Sequence, residues 1–138
     1  MSRQSACLIT ALAGCLLSAC TNAADDAAAD ALTGAEWRIT EIAGQSVLES
    51  STATLRFDSD GRAGGRGPCN TYGAGYQISG ARITFEAPFS TTMACDPALM
   101  EQERALFDLL SQIRSFGIGD DGVLVLTAED GRTIIGHR

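Results

Sequence analysis

Cys69, Cys95 and His137 are the residues in the C-terminal part of the chain whose types serve most often in redox, metal and nucleophilic chemistry. A thiol-redox pair usually has a CxxC-like spacing, which positions 69 and 95 lack. A metal site would need several histidines or free cysteines, whereas His137 is the only histidine, and no GxSxG motif accompanies it. We therefore predict no catalytic residue, no metal site and no cofactor. An enzyme or thiol-redox protein using Cys69 and Cys95 stays open as the alternative, because Cys95 directly precedes a predicted helix.

The charge balance excludes one class of partner. The 138 residues carry 10 basic and 17 acidic side chains, for a formal net charge of −7. Nucleic-acid binding needs a basic surface that neutralises phosphates, so we expect no nucleic-acid partner. The length allows one domain, and we expect a monomer.

The first nineteen residues have the pattern of a secretory signal peptide. Arg3 is followed by an apolar run from Ala6 to Leu17, which is too short to span a bilayer permanently. The sequence Leu17-Ser18-Ala19-Cys20 resembles the bacterial lipobox, so we predict cleavage before Cys20, attachment of a diacylglyceryl group to its thiol, and palmitate among the acyl chains of the anchor. Thr21 follows Cys20 at the position where an aspartate would favour retention in the inner membrane. We therefore predict that the protein is anchored in the outer membrane and faces the periplasm. An ordinary signal peptide followed by a chance cysteine is the alternative.

This leader also decides how the remaining cysteines are interpreted. Cys7 and Cys15 leave with residues 1–19, and Cys20 is acylated, so Cys69 and Cys95 are the thiols that remain. Because the periplasm is oxidising, we predict a disulfide between them.

The segment 20–33 is predicted to be a lipidated, flexible tether. Its sequence from Thr21 to Leu32, TNAADDAAADAL, is acidic and has little apolar bulk to offset the entropy of ordering. The alternative is an alanine-rich helix, which would be marginal in isolation at this length.

Residues 34–138 are predicted to form one β-rich domain. Apolar and polar residues alternate in several short runs, the first of which contains Trp37 and Ile39, and Asp-Gly turns separate the last runs. We interpret the glycine-rich run 61–67 as a strand or bulge that packs against another backbone, since it lacks the lysine of a phosphate loop. Pro88 is predicted to end a strand, with a loop from Phe89 to Cys95.

One helix is predicted, beginning at Asp96-Pro97 and ending near Ser115, with Asp96 as the N-cap. Its apolar face contains Leu99, Leu106, Leu110 and Ile113, flanked by Met100, Glu103 and Phe107. Several strands and one late helix predict a mainly β fold, a small antiparallel, lipocalin-like barrel or half-barrel whose open end the helix covers.

Two separated motifs add a resemblance. Cys69-Asn70-x-Tyr72 with Tyr76, and Ser90-Thr91-x-Met93-Ala94-Cys95 followed by a helix with an early glutamate, resemble the META domain family, which includes HslJ-like bacterial lipoproteins. The resemblance implies a META-type barrel, a link to envelope stress and no established enzymatic activity. Thr92 stands where the family usually has arginine, which puts any anion contact of that arginine in doubt here.

Asn70, Tyr72, Tyr76, Thr91 and Met93 are the candidate binding surface. The structural alternative is that Asn70 caps a turn and that the tyrosines pack with their hydroxyls at the rim. We predict a non-catalytic binding or assembly role in the envelope stress response, with the membrane contacted through Cys20 and either an envelope protein or a lipid-like ligand as partner. An apolar cavity inside the barrel would favour the ligand, and a filled interior with exposed apolar residues would favour the protein.

Overall fold

The computed structural model of the protein describes residues 20–138, so the predicted signal peptide lies outside the described residues. Two helices and nine strands follow one another along this part of the chain. In order they are α1 (Cys20–Leu32), β1 (Glu36–Ile42), β2 (Gln45–Ser46), β3 (Thr54–Phe57), β4 (Arg62–Arg66), β5 (Thr71–Ser79), β6 (Arg82–Ser90), α2 (Pro97–Gln112), β7 (Ile113–Ile118), β8 (Leu124–Ala128) and β9 (Thr133–His137).

The strands form one closed antiparallel barrel. Each long strand pairs with the next in sequence, and β9 returns to pair with β1, where Arg38 lies opposite His137. The short β2 pairs only with the end of β1, so eight strands make up the barrel wall. The predicted mainly β, lipocalin-like barrel is confirmed, and the closed form of it is the one observed.

The alternating pattern of the strands places their apolar residues in the barrel interior. Trp37 is fully buried, and Phe57 contacts both Tyr76 and Phe85, with ring centroids 5.2 and 6.1 Å apart. Leu126 and the other aliphatic residues of β8 and β9 complete the same core cluster. Side chains thus fill the interior of the barrel.

The glycine-rich run becomes β4, which agrees with its interpretation as a strand packed against backbone. A Cβ atom on Gly64 would lie 2.5 Å from the carbonyl oxygen of Tyr72, so only glycine fits in that position.

The strand β6 is longer than predicted. It continues past Pro88 to Ser90, because a β-bulge lies opposite Gly73–Gly75 and Ala87 takes a positive φ of 44° there. A bulge accommodates a proline that a regular ladder would exclude. Phe89, predicted to lie in a loop, is therefore paired with Gly73 in the sheet.

The predicted helix is α2, which begins at Pro97 as expected. Asp96 occupies the N-cap position, but its side chain makes no capping hydrogen bond. The helix ends at Gln112 rather than near Ser115, because Ile113 takes an extended conformation and begins β7. Its buried face consists of Glu103, Leu106, Leu109 and Leu110.

The segment predicted as a flexible tether is instead the helix α1, the alternative considered for its alanine-rich sequence. The reason is tertiary: Leu32 is fully buried, and the indole N–H of Trp37 donates to the Leu32 carbonyl oxygen at 3.1 Å. The folded unit therefore begins before residue 34, where the domain boundary was predicted.

Strand direction assigns each connection to one end of the barrel. Since all neighbours are antiparallel, α1, the β7–β8 turn and the end of β9 lie at one end, which we call the α1 end. The β4–β5 turn, α2 and the β8–β9 turn lie at the other, which we call the α2 end.

Candidate functional site

A disulfide joins two connections at the α2 end. The sulfur atoms of Cys69 and Cys95 are 2.14 Å apart, and their Cα atoms are 5.9 Å apart. The predicted disulfide is confirmed. It links the turn between β4 and β5 to the segment that leads into α2.

Glu103 lies beside this disulfide and is 5 % exposed. One carboxylate oxygen, Oε2, accepts hydrogen bonds from the backbone N–H groups of Cys69 and Asn70 at 2.7 and 2.5 Å. The other, Oε1, accepts from Nδ2 of Asn70 at 2.6 Å. Within the described residues Glu103 makes no ion pair, so three N–H donors satisfy its charge.

Gly67 provides the room for this carboxylate. A Cβ atom on Gly67 would lie 2.6 Å from Oε2 of Glu103, and the backbone N–H of Gly67 donates to the Asn70 carbonyl oxygen at 2.7 Å. The β4–β5 turn is thus shaped around the helix glutamate.

Asn70, which is 4 % exposed, connects the β4–β5 turn to the segment that follows β6. Its Oδ1 accepts from the hydroxyl of Thr91 at 2.9 Å and from the backbone N–H of Met93 at 2.6 Å. Its Nδ2 also donates to the Met93 carbonyl oxygen at 3.3 Å. The amide of Asn70 therefore fixes the Met93 backbone from both sides, as a neighbouring strand would.

The residue whose backbone this network holds in place has an exposed side chain. Met93 is 59 % exposed, and we call residues 91–95 the Met93 loop. The loop is fixed by Asn70 in its middle and by the disulfide at its end. Buried polar groups here serve to position an exposed apolar residue.

Phe89 is a second exposed apolar residue in the adjoining strand, at 71 %. The tip of its ring packs on Gly73, where a Cβ atom would lie 2.6 Å from the Phe89 Cζ atom. The ring is therefore supported from below while its outer face meets solvent. We call Phe89 and Met93 together the apolar patch.

The chain segment that carries the patch is acidic. From residue 83 to residue 103 the chain contains four acidic residues and no lysine or arginine. Glu86, Asp96 and Glu101 are exposed members of this stretch. Arg66 also lies near the Met93 loop, because it pairs with Thr71, whose carbonyl oxygen accepts from the Thr91 N–H.

The two tyrosines of the candidate surface belong to the core, as the structural alternative predicted. Tyr72 donates its hydroxyl hydrogen to the Thr54 carbonyl oxygen at 2.8 Å, and Tyr76 donates to that of Asp58 at 2.7 Å. Burial raises the pKa of Tyr72 well above its ordinary value. Burial, followed by the charges of two nearby aspartates, also raises the pKa of Tyr76. Of the five candidates, Thr91 and Met93 lie at the surface, and Asn70 is buried beneath them.

Neither Glu103 nor Phe89 was among the predicted site residues. The helix pattern predicts Glu103 at the flank of the apolar face, and the sequence predicts a loop at Phe89. Two features of the sequence could have indicated them. These are the early glutamate of the family motif for Glu103, and the glycine at position 73, on which the ring packs, for Phe89.

The other side chains considered for chemistry lie apart from this site. His137 is exposed at the α1 end, at the opposite end of the barrel from the disulfide. Among residues 20–138, no group of three His, Cys, Asp or Glu side chains is arranged to hold a metal ion. Two grooves, of about 500 and 450 Å³, lie on the outer wall and include Arg56 and Arg66, respectively, in their lining.

Among protein families, the META domain matches residues 30–137, which is most of the chain. The chain belongs to the META domain family. The match begins within α1, in agreement with a folded unit that starts before residue 34. A search of curated proteins finds no match.

Solved structures share the META barrel at low sequence identity. An NMR structure of a protein from Burkholderia xenovorans is 23 % identical, with a TM-score of 0.66 over 81 % of this chain and 86 % of that one. A second NMR structure has a TM-score of 0.65 at 17 % identity, covering 79 % and 92 % of the two chains. The crystal structure of a DUF4847 family protein from Bacteroides vulgatus has a TM-score of 0.58 at 13 % identity, covering 79 % and 94 %. At these identities the likeness establishes the fold alone.

The residues that carried the META resemblance come together in space. Cys69 and Asn70 from one motif, and Thr91, Met93 and Cys95 from the other, form the hydrogen-bonded and disulfide-bonded cluster described above. Of the two glutamates near the start of the helix, Glu103 joins the cluster through its carboxylate. Cys20 is the first residue of α1, and no helix within the described residues is long and apolar enough to cross a membrane.

Proposed function

We propose that this META protein is a lipoprotein of the bacterial outer membrane, anchored through Cys20 and facing the periplasm, that binds a protein partner without catalysis in the envelope stress response. The observation that supports a binding role is the pair of buried polar residues, Glu103 and Asn70, that fixes the backbone of the exposed Met93.

The energetics favour a positional role for this network. A buried carboxylate loses its hydration, and three hydrogen bonds only offset that loss. A leucine in place of Glu103 would contribute about 1.5 to 3 kcal/mol of burial, but it would leave three N–H donors without an acceptor, at about 1 to 3 kcal/mol each. Glu103 and Asn70 therefore hold the β4–β5 turn and the Met93 loop in one arrangement, because any other arrangement leaves buried polar groups unpaired.

A rigid loop lowers the entropic cost of association, because its backbone is already in one arrangement before the partner binds. Methionine and phenylalanine are also side chains that protein interfaces favour at their centres. The filled barrel interior supports a protein partner rather than a lipid-like ligand held inside the barrel. The acidic character of the segment that carries the apolar patch favours a partner surface with an apolar pocket and basic residues.

The thiol-redox alternative has less support. Cys69 and Cys95 are 26 residues apart and lack the CxxC-like spacing of a redox pair. The variant C69S/C95S separates the two functions, because a redox protein would lose all activity while a binding protein would keep its partner.

The binding site can be tested in cells with a photocrosslinking amino acid at position 89 or 93. Position 129 is the matched control, because Glu129 is equally exposed in another connection at the α2 end. We expect positions 89 and 93 to give an adduct of the same mass and position 129 to give none. The adduct formed from position 89 should decrease when M93S is added. Equal adducts from all three positions, or no effect of M93S, would contradict the proposed surface.

The anchor and the stress role need separate measurements. Radiolabelled palmitate should be incorporated into the wild-type protein and not into C20S, which should leave the membrane fraction. In a strain without the wild-type gene, F89S/M93S should fail to restore growth under envelope stress, whereas E129Q should restore it. Labelling of C20S at the wild-type level would refute the anchor, and full rescue by F89S/M93S would refute the role of the patch.

A further inference from the structure

The helix α1 is joined to the barrel by contacts that leave little freedom at the joint. Leu32 is fully buried, and the Trp37 indole donates to the Leu32 carbonyl oxygen. Arg138, at the end of β9, donates to the carbonyl oxygen of Ala31, and its guanidinium lies 4.4 Å from the centre of the Trp37 ring. Arg138 thus clamps the last turn of α1 onto the α1 end, and α1 also packs against β5 on the opposite side of the barrel.

The helix itself is continuous from Cys20 to the clamp. Its 13 residues extend over about 20 Å at 1.5 Å per residue. The backbone N–H of Thr33 continues the helical pattern by donating to Ala29, and Gly34 then turns the chain at a φ of 77° into β1. The connection between Cys20 and the barrel therefore contains a helix and one short turn.

The charge of α1 is also relevant to how it meets a bilayer. Asp26 and Asp30 are exposed on the helix. Acidic side chains are repelled by anionic lipid headgroups, so the helix gains nothing by lying flat on such a surface.

We infer that α1 is a rigid spacer that orients the barrel, with the α1 end toward the membrane and the Met93 loop away from it. The inference rests on the lipid anchor at Cys20 proposed above. The height of the barrel, set by tilted strands of up to nine residues such as β5, is about 20 Å. The partner is then a protein reached from the aqueous space, since a protein embedded in the same bilayer would meet the α1 end instead.

The orientation can be measured on the lipidated protein in vesicles of phosphatidylethanolamine and phosphatidylglycerol that carry an acceptor dye in their headgroups. A fluorescent amino acid is placed at position 120 or 129. Asp120 and Glu129 are both exposed in turns that flank β8, at the α1 end and the α2 end respectively, so they form a matched pair. Energy transfer should place position 120 closer to the bilayer than position 129 by about 20 Å.

Two variants test whether α1 causes the difference in distance between positions 120 and 129. Replacing Ala27, Ala28 and Ala29 by glycine should destabilise the helix by about 1 kcal/mol per residue. R138A removes the clamp, and R104A is its control, at an exposed arginine of α2 at the other end of the barrel. The distance difference between positions 120 and 129 should shrink in the first two variants and persist in R104A. Equal distances in the wild-type protein, or an unchanged difference in the triple-glycine variant, would overturn the inference.

Mass spectrometry of the purified protein distinguishes a failure of the anchor from a failure of the spacer. An unmodified Cys20 would refute the proposed lipidation. In that case the chain from residue 20 onward, coupled through the Cys20 thiol to a maleimide-bearing lipid, gives the same distance measurement. This measurement tests the role of α1 as a spacer even if Cys20 carries no natural lipid.

Discussion

Replacing Glu103 by glutamine removes one acceptor from a site that is built of donors. The carboxylate accepts from two backbone N–H groups and from Nδ2 of Asn70. A glutamine amide has a single oxygen and an NH₂ group, so in either orientation its NH₂ group faces at least one N–H donor. The Asn70 amide can turn to meet it only by giving up its bonds to Thr91 and Met93.

The loss of stability expected for E103Q follows from the hydrogen bonds that are lost. A buried donor left without an acceptor costs about 1 to 3 kcal/mol, and a hydrogen bond to a charged group contributes about 1.5 to 3 kcal/mol. Since glutamine keeps one or two of the three bonds, we expect E103Q to lower the free energy of unfolding by about 2 to 4 kcal/mol. The exposed neighbour Glu101 provides the control, and E101Q should change stability by less than about 0.5 kcal/mol.

The assay is equilibrium unfolding in urea with the disulfide intact. With a slope of about 2 kcal/mol/M, typical of a small domain, the E103Q midpoint should fall by about 1 to 2 M while the slope stays constant. Amide hydrogen exchange at Met93 should rise in E103Q relative to E101Q. An E103Q midpoint equal to that of E101Q, or unchanged protection of the Met93 amide, would refute the argument that Glu103 holds the loop.

Three further predictions concern the disulfide, the helix joint and the buried tyrosine. C69S/C95S should lose about 3.5 kcal/mol, since the disulfide closes a 26-residue separation, and a thiol titration of the unfolded, unreduced wild-type domain should find no reactive sulfhydryl in Cys69 or Cys95. L32A, or a chain that begins at residue 34, should be less stable by about 2 to 5 kcal/mol in the same urea assay, because Leu32 is fully buried. The raised pKa of Tyr72 means that the folded state holds its proton more tightly, so this contribution is complete below the ordinary tyrosine pKa near 10 and is lost as pH rises above it. The urea midpoint should fall between about pH 9 and 12, less steeply in Y72F; equal slopes would contradict this.

Local patterns were enough to predict most of the barrel. Strands such as β1 and β8 have an alternation that reports directly which side chains point inward. The Asp-Gly turn at Gly122 and the helix start at Pro97 depend on the conformational preferences of single residues, which a sequence displays without tertiary context. The disulfide followed from the number of cysteines and the oxidising compartment.

The features that were missed depend on contacts between distant residues. The helix α1 is marginal alone, and its burial of Leu32 against Trp37 is a contact that no local pattern reports. The continuation of β6 past Pro88 depends on a bulge opposite β5. Glu103 lies on the buried face of an amphipathic helix, and its partners are the backbone N–H groups of a distant turn. The residues around Glu103 in the sequence do not indicate these partners.

The disulfide and the Glu103 network fix the same loop by different means, and their effects should be separable. A disulfide stabilises mainly by restricting the unfolded chain, whereas the hydrogen bonds of Glu103 and Asn70 exist only in the folded state. C69S/C95S should therefore lower global stability while the Met93 loop keeps its protection from hydrogen exchange relative to the rest of the barrel. E103Q should loosen the loop even though the covalent link remains. If partner binding follows loop order, E103Q will weaken it more than C69S/C95S does, although the two variants lose similar stability.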